Sequence, residues 1–218
     1  MEITPPKEQI KLFGYNKYFS TLHKMYTKNN LPNTILFNGS KGIGKATFAY
    51  HFINYIFSNQ KDSFYDLDKY LINKNNKHYH LVKNNSHPNL FLLDIDDNEK
   101  TIKLEKIRSL LKFLSKSTLD KNIKVVLIDN VENLNINSSN ALLKTLEEPS
   151  ENTLFFIINN NRKNLLETIR SRCFLFNFHF TSSEKSQIFD KIKLDYEFSI
   201  KDESFNEFSY FETPGNFL

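Results

Sequence analysis

Thr34-Ile35-Leu36-Phe37-Asn38-Gly39-Ser40-Lys41-Gly42-Ile43-Gly44-Lys45-Ala46-Thr47 is the stretch on which the fold turns. Its first four residues form a β-favouring run, apolar from Ile35 on, and Asn38-Gly39 is the punctuation expected where a buried strand meets a loop. After the loop, Ala49, Phe52, Ile53, Ile56 and Phe57 recur at helical spacing and line one face. The unit is strand, glycine loop, helix, and the loop fits G-x-x-x-x-G-K over Gly39 to Lys45. Glycines at 39, 42 and 44 let successive backbone N–H groups face phosphate oxygens, the helix N-terminus adds partial positive charge, and Lys45 supplies a mobile cation. A glycine loop that merely turns the chain is the plain alternative.

Outward from this unit the alternation continues. Leu90 to Leu93, Val125 to Ile128, Leu154 to Ile158 and Cys173 to Phe180 read as strands. Between them Leu104 to Leu114, Ser138 to Glu147 and Leu165 to Arg170 read as helices, the second stopped by Pro149. Strands alternating with helices predict an α/β fold with a mostly parallel, doubly wound sheet. Residues 58–89, polar and rich in Asn, Lys and His, read as an insertion with a short helix around Tyr65 to Ile72. Past Phe180, Thr181-x-x-Glu184 has the spacing of a capping box and no strand pattern returns. The expected organisation is an α/β domain over 1–180 and a small helical lid domain over 181–218 that buries too little to fold alone.

Composition narrows the classes. The chain has 218 residues, 29 Lys+Arg against 25 Asp+Glu for a net charge of +4, and 21 Phe with 10 Tyr. With alanine only at 46, 49 and 141, aromatics must fill the interior, and a chain this apolar is not disordered as a whole. A charge of +4 is too dilute to diagnose nucleic-acid binding. One cysteine can form neither an internal disulfide nor a four-cysteine zinc site. Met1 to Lys11 lacks an apolar core, and no run approaches the length of a membrane span. A cytoplasmic protein is expected.

The residue after the loop lysine normally gives Mg²⁺ a hydroxyl; here it is Ala46, with Thr47 a third of a helical turn further round. The strand at 125–128 ends in Asp129, placed to hold a carboxylate near such a metal, or else to cap the following turn. Asn130 follows where a hydrolase would carry a glutamate, and an amide cannot accept a proton from water. Glu132 is read as lying on a different side of the chain. The residues thus describe a phosphate cradle with impaired metal binding and turnover.

Asn140-Ala141-Leu142-Leu143-Lys144-Thr145-Leu146-Glu147-Glu148-Pro149 and Thr168-Ile169-Arg170-Ser171-Arg172-Cys173, with Gly42 to Thr47 and His87-Pro88-Asn89-Leu90, closely resemble bacterial clamp-loader subunits of the AAA+ class, most of all the delta-prime family of DNA polymerase III. The resemblance runs from about Gly14 to Phe180. It implies a P-loop AAA+ domain and a part in DNA replication, helping a neighbouring ATPase subunit load a sliding clamp on primed DNA. Arg172 would be the arginine finger reaching a neighbour's nucleotide, and Asn160, or else Asn159, a polar sensor of the γ-phosphate; capping of the preceding helix and an ordinary turn are the plain alternatives.

The resemblance further implies gamma/tau-like and delta-like loader subunits as partners, and ATP or ADP as ligands bound without turnover. Motor subunits carry a four-cysteine zinc module near 58–89; this chain has no cysteine there, so zinc is expected to be absent, and His78, His80 and His87 are read as solvated loop residues. Phe211 to Asn216 resembles the lid-domain sensor motif with neutral Asn216 in place of an arginine. The sequence stops at Leu218 without the helical collar of such subunits, which is read as a fragment or a shortened protein. The alternative is an ATP-hydrolysing gamma/tau-like motor subunit using Lys45, Asp129 and Thr47.

Overall fold

The computed structural model describes residues 4–58, 65–95, 99–116, 123–160 and 165–195. In chain order the elements are α1 Asn16–Thr27, β1 Thr34–Asn38, α2 Lys45–Phe57, β2 Tyr65–Asp66, β3 Leu71–Ile72, α3 Lys77–Lys83, β4 Leu90–Leu93, α4 Leu104–Ser115, β5 Lys124–Ile128, α5 Ile136–Glu147, β6 Thr153–Asn159, α6 Glu167–Arg170, β7 Phe174–Asn177 and α7 Ser182–Asp195. The main sheet has the order β4-β5-β6-β1-β7, and every pairing in it is parallel.

Successive strand residues point to opposite faces, so an apolar run of five must be covered on both sides. In β1 this is literal. Ile35 and Phe37 join Phe156 and Ile158 of β6 in one core with Phe19, Phe48 and Phe52, while Leu36 joins Phe155, Ile157, Val126 and Ile128 in a second. The first core is roofed by α1, α2, α3 and α7, the second by α4, α5 and α6. Aromatic packing replaces the missing alanines: Phe37 stacks on Phe156 with centroids 5.5 Å apart and meets Phe48 edge-on at 5.5 Å. Lys124 is buried at the start of β5, and its Nζ donates to the carbonyls of Phe113, Leu114 and Lys116, tying off the C-terminal end of α4.

Several elements differ from the sequence reading. The helix expected over Tyr65 to Ile72 is the β2–β3 hairpin, because Asp66 Oδ1 accepts from the backbone N–H of Asp68 (3.0 Å) and Lys69 (2.9 Å) and turns the chain. The insertion also holds α3, capped by the Asn76 side chain on His78 N at 2.8 Å. The strand expected over 173–180 stops at Asn177, since its partner β1 ends at Asn38 and the chain there enters the glycine loop. Helix α1 was not anticipated. Among the described residues no helix is long and apolar enough to cross a membrane.

Thr181 and Glu184 form the capping box: Thr181 N donates to Glu184 Oε2 at 2.7 Å and Glu184 N to Thr181 Oγ1 at 3.2 Å. Helix α7 then packs Ile188 and Ile192 into the first core, close over Gly14 (φ +77°). The remainder of the proposed lid, Asn216 included, lies outside the described residues.

Candidate functional site

The loop from Gly39 to Gly44 leaves β1 and enters α2. Gly42 (φ 79°) and Gly44 (φ 94°) sit in the left-handed region that glycine adopts without strain, and no side chain caps α2, whose first turn begins at Lys45. A Cβ on Gly44 would stand 3.5 Å from the Tyr15 ring, whose hydroxyl donates to the Ile43 carbonyl at 2.6 Å. Tyr15 thus pins the loop from behind.

Lys45 is 3% exposed, and its Nζ donates to the carbonyls of Gly39 (2.6 Å) and Ser40 (2.7 Å), so the ammonium folds back on the loop. Gly42, Gly44, Lys45, Ala46, Thr47, Asp129, Asn130 and Asn160 all line one cavity of about 400 Å³, with Thr4, Pro6 and Gln9 from the N-terminal segment on its rim. Thr47 therefore remains in the wall in spite of its helical offset. Gly39 does not line the cavity; its carbonyl accepts from Lys45, and a Cβ added to it would stand 3.1 Å from the Phe178 carbonyl oxygen.

Across the cavity stands a carboxylate. Asp129 directly follows β5, and its Oδ1 accepts from Asn130 N at 2.8 Å. Burial pushes its carboxyl up to about 6, reinforced by Asp94 and then Glu132, while the Asn130 N–H and Lys45 pull it down. Burial also brings Lys45 down to about 8, against the attraction of Asp129 and Glu132. The two desolvated groups hold opposite charges at neutral pH with little margin on either side.

Asn130 is in the left-handed region (φ 54°, ψ 43°). Its Nδ2 donates to Asp94 Oδ1 at 2.9 Å and its Oδ1 accepts from Asn160 Nδ2 at 3.1 Å, so this amide bridges the ends of β4 and β6. Glu132 corrects the sequence reading: its Oε2 accepts from Asn160 N at 3.4 Å, and its charge acts on both Lys45 and Asp129. It faces the site because the left-handed Asn130 and the 3-10 turn Val131–Asn133 reverse the chain. Asn160 lines the cavity, whereas Asn159 turns to Asn38 (Nδ2 to Oδ1, 3.1 Å), and Asn38 in turn donates to Asn177 at 2.9 Å.

Arg172 lies outside this cavity, on the turn between α6 and β7, with its side chain 29% exposed. Nε donates to Glu147 Oε1 at 2.7 Å, Nη2 to the same oxygen, and Nη1 to the Thr168 carbonyl at 2.7 Å. The guanidinium is at the surface and held there.

The histidines differ from expectation. His87 is 6% exposed, stacks on Phe57 at 3.8 Å and hydrogen-bonds His78 (Nε2 to Nδ1, 3.0 Å); burial, then His78, brings it down to about 4. Of the three, His80 alone is exposed. Among the described residues no group of three or more His, Cys, Asp or Glu is placed to hold a metal ion. Sequence reasoning missed Tyr15, the N-terminal rim and Asp94. Tyr15, Phe19, Leu22 and Tyr26 repeat at 4-3-4 spacing, which is the signal that would have found α1 and with it the loop's support.

The family model described as DNA polymerase III, delta subunit, matches residues 14–182. The delta' subunit of Pseudomonas aeruginosa is 40% identical over 93 residues, which are 43% of this chain and 28% of that one. The Bacillus subtilis delta' subunit is 30% identical over 152 residues, 70% of this chain and 44% of the relative. A tau/gamma subunit of Haemophilus influenzae is 30% identical over 183 residues, 84% of this chain and 25% of that one. The matched stretches thus span less than half the length of these relatives. In fold, the Thermotoga maritima RuvB Holliday junction branch migration motor superposes with TM-score 0.51 at 14% identity, over 88% of this chain and 56% of that one. An R170A form of RuvB gives 0.53 at 16%, over 97% and 61%. The parallel sheet, its loop and its flanking helices are those of an AAA+ P-loop α/β domain.

Proposed function

The chain belongs to the delta-prime-like clamp-loader family of DNA polymerase III, and from that membership we propose that it lends Arg172 in trans to the nucleotide of a neighbouring ATPase subunit, while its own cavity holds ATP or ADP without turning it over. The observation that carries this reading is the separation of the two sites. Arg172 is at the surface, outside the cavity that contains Lys45, which supports a role toward a nucleotide held by another chain. A guanidinium there stabilises charge on the transferring phosphoryl, an effect worth about 10³–10⁵ in rate.

Three features favour a site without turnover. Ala46 offers no metal ligand, Asn130 is engaged by Asp94 and Asn160 and cannot take a proton from water, and Lys45 is tied to loop carbonyls. The partners are then gamma/tau-like and delta-like loader subunits, with the sliding clamp and primed DNA reached through the complex. DNA contact through scattered lysines would be salt-sensitive and sequence-blind. In a reconstituted loader, Arg172→Ala is expected to leave this chain folded and to depress ATP hydrolysis at least tenfold; unchanged hydrolysis removes the proposal.

A second reading, a hydrolysing motor subunit, is favoured by Glu132, which brings a carboxylate to the Asn160 side of the site. Hydrolysis by the isolated chain at about 1 s⁻¹ or faster, lost in Lys45→Ala and in Glu132→Gln, would select it.

A further inference from the structure

The Asn140 to Pro149 stretch ends in a glutamate pair, Glu147-Glu148, to which the function above gives no task. Glu147 is the last residue of α5, and α5 and α6 both end against Arg172. A carboxylate in the last turn of a helix meets the negative end of the helix dipole and is unfavourable there unless a cation answers it. The answering cation is Arg172, which spends Nε and Nη2 on Glu147 Oε1 and one Nη1 hydrogen on the Thr168 carbonyl of α6. The pair is too exposed to matter much for stability: the two side chains are 29% and 44% accessible, where water screens most of an ion pair's attraction.

What the pair does achieve is to hold still a long side chain that would otherwise sample many rotamers. An arginine has five N–H donors. With three committed to Glu147 and Thr168, one hydrogen remains on each terminal nitrogen, that on Nη1 only loosely engaged by Ser171 Oγ at 3.5 Å. A planar cation fixed on one edge and open on the other suits an incoming phosphate oxygen.

We propose that Glu147 is the positioning residue of Arg172, fixing the guanidinium at the surface in the orientation in which it meets the neighbouring subunit's triphosphate. This rests on the trans-acting role proposed above. Glu147 touches no substrate; it acts through Arg172. Removing it leaves the cation present but unaimed, so the loss falls on kcat and leaves KM for ATP unchanged, and a misplacement of about 1 Å costs up to roughly 100-fold.

The test is a double-mutant cycle in a loader reconstituted from this chain and its ATPase partners, with clamp and primed DNA present, reading kcat and KM for ATP. Glu147→Ala is expected to lower kcat about tenfold at constant KM. Glu147→Gln, which keeps an oxygen acceptor, should stay within about threefold of the parent. Glu147→Ala should cost nothing further once Arg172 is alanine. Thermal melts of the single chain establish that each variant is folded; if Glu147→Ala is not, Glu147→Met, which keeps the side-chain length and removes the acceptor, carries the cycle in the presence and absence of Arg172. Arg172→Ala without effect removes the trans-acting role itself. An effective Arg172→Ala beside a Glu147→Ala that leaves kcat unchanged or raises it, or losses that add, overturns the positioning alone.

Discussion

The amide of Asn130 gives the sharpest handle on the site. Replacing it with aspartate keeps the size and the tolerance of a left-handed backbone, and changes one donor into an acceptor that faces the Asp94 carboxylate. Two effects follow. A hydrogen bond to a charged acceptor is lost, worth about 1.5–3 kcal/mol. Two carboxylates are set against each other, which near a protein surface costs up to about 4 kcal/mol at contact distance. Both residues are partly exposed, so water screens part of this, and roughly 2–4 kcal/mol is the expected loss of unfolding free energy at pH 7.5.

The pH dependence has a definite sign. The new carboxyl, with Asp94 and Asp129 beside it, has its folded-state pKa raised above the unfolded value near 3.9. Its penalty is therefore absent below about pH 4, appears as pH rises past that value and is complete above the folded-state pKa. Urea unfolding at pH 7.5 and pH 4 measures both limits. Asp94→Asn in the same chain returns an amide opposite the new carboxylate, and the double variant should recover most of the loss. A deficit under about 0.5 kcal/mol at pH 7.5, or a double variant no better than the single, would falsify the bridge from β4 to β6 through Asn130.

Nucleotide binding to the isolated chain should weaken as pH rises through 8, where Lys45 in the free site loses its proton; Kd for ADP is expected to climb up to about tenfold per pH unit above that point and to be indifferent to Mg²⁺, measured by calorimetry. A Kd flat from pH 7 to 9.5 would mean that Lys45 makes no charge contact with phosphate. Gly14→Ala places a Cβ 2.2 Å from Ile188 Cδ1 at a φ of +77°, and should cost about 1–3 kcal/mol by chemical denaturation. Truncating Ile188 in that background should reduce the additional cost of the alanine; if it does not, α7 does not rest on Gly14.

The sequence spoke most clearly where one residue's environment follows from its neighbours. Thr34 to Thr47 could be read because a fully apolar run, Asn-Gly and three loop glycines leave few other structures for the backbone. The Thr181–Glu184 cap could be read for the same reason, being a contact over three residues. Glu132 was misjudged because counting side-chain directions along the chain fails once Asn130 adopts φ 54°. The β2–β3 hairpin was hidden by an Asp66 side chain whose bonding partners decide between turn and helix. Arg172 and Glu147 stand 25 residues apart and meet only when α5 and α6 are docked, and no local pattern records that. The same holds for Asn38, Asn159 and Asn177, neighbours only in the register of the finished sheet.

That run of asparagines bears on how long a molecule lasts. Asn38 precedes Gly39, the pairing in which a side-chain amide is most easily lost, since glycine puts nothing in the way of its own nitrogen closing a succinimide ring on the asparagine. Here the amide is gripped from both sides, its oxygen by Asn159 and its nitrogen by Asn177. Cyclisation has to break that grip first. Chains that spend time unfolded therefore age at this dipeptide, and folded ones are spared.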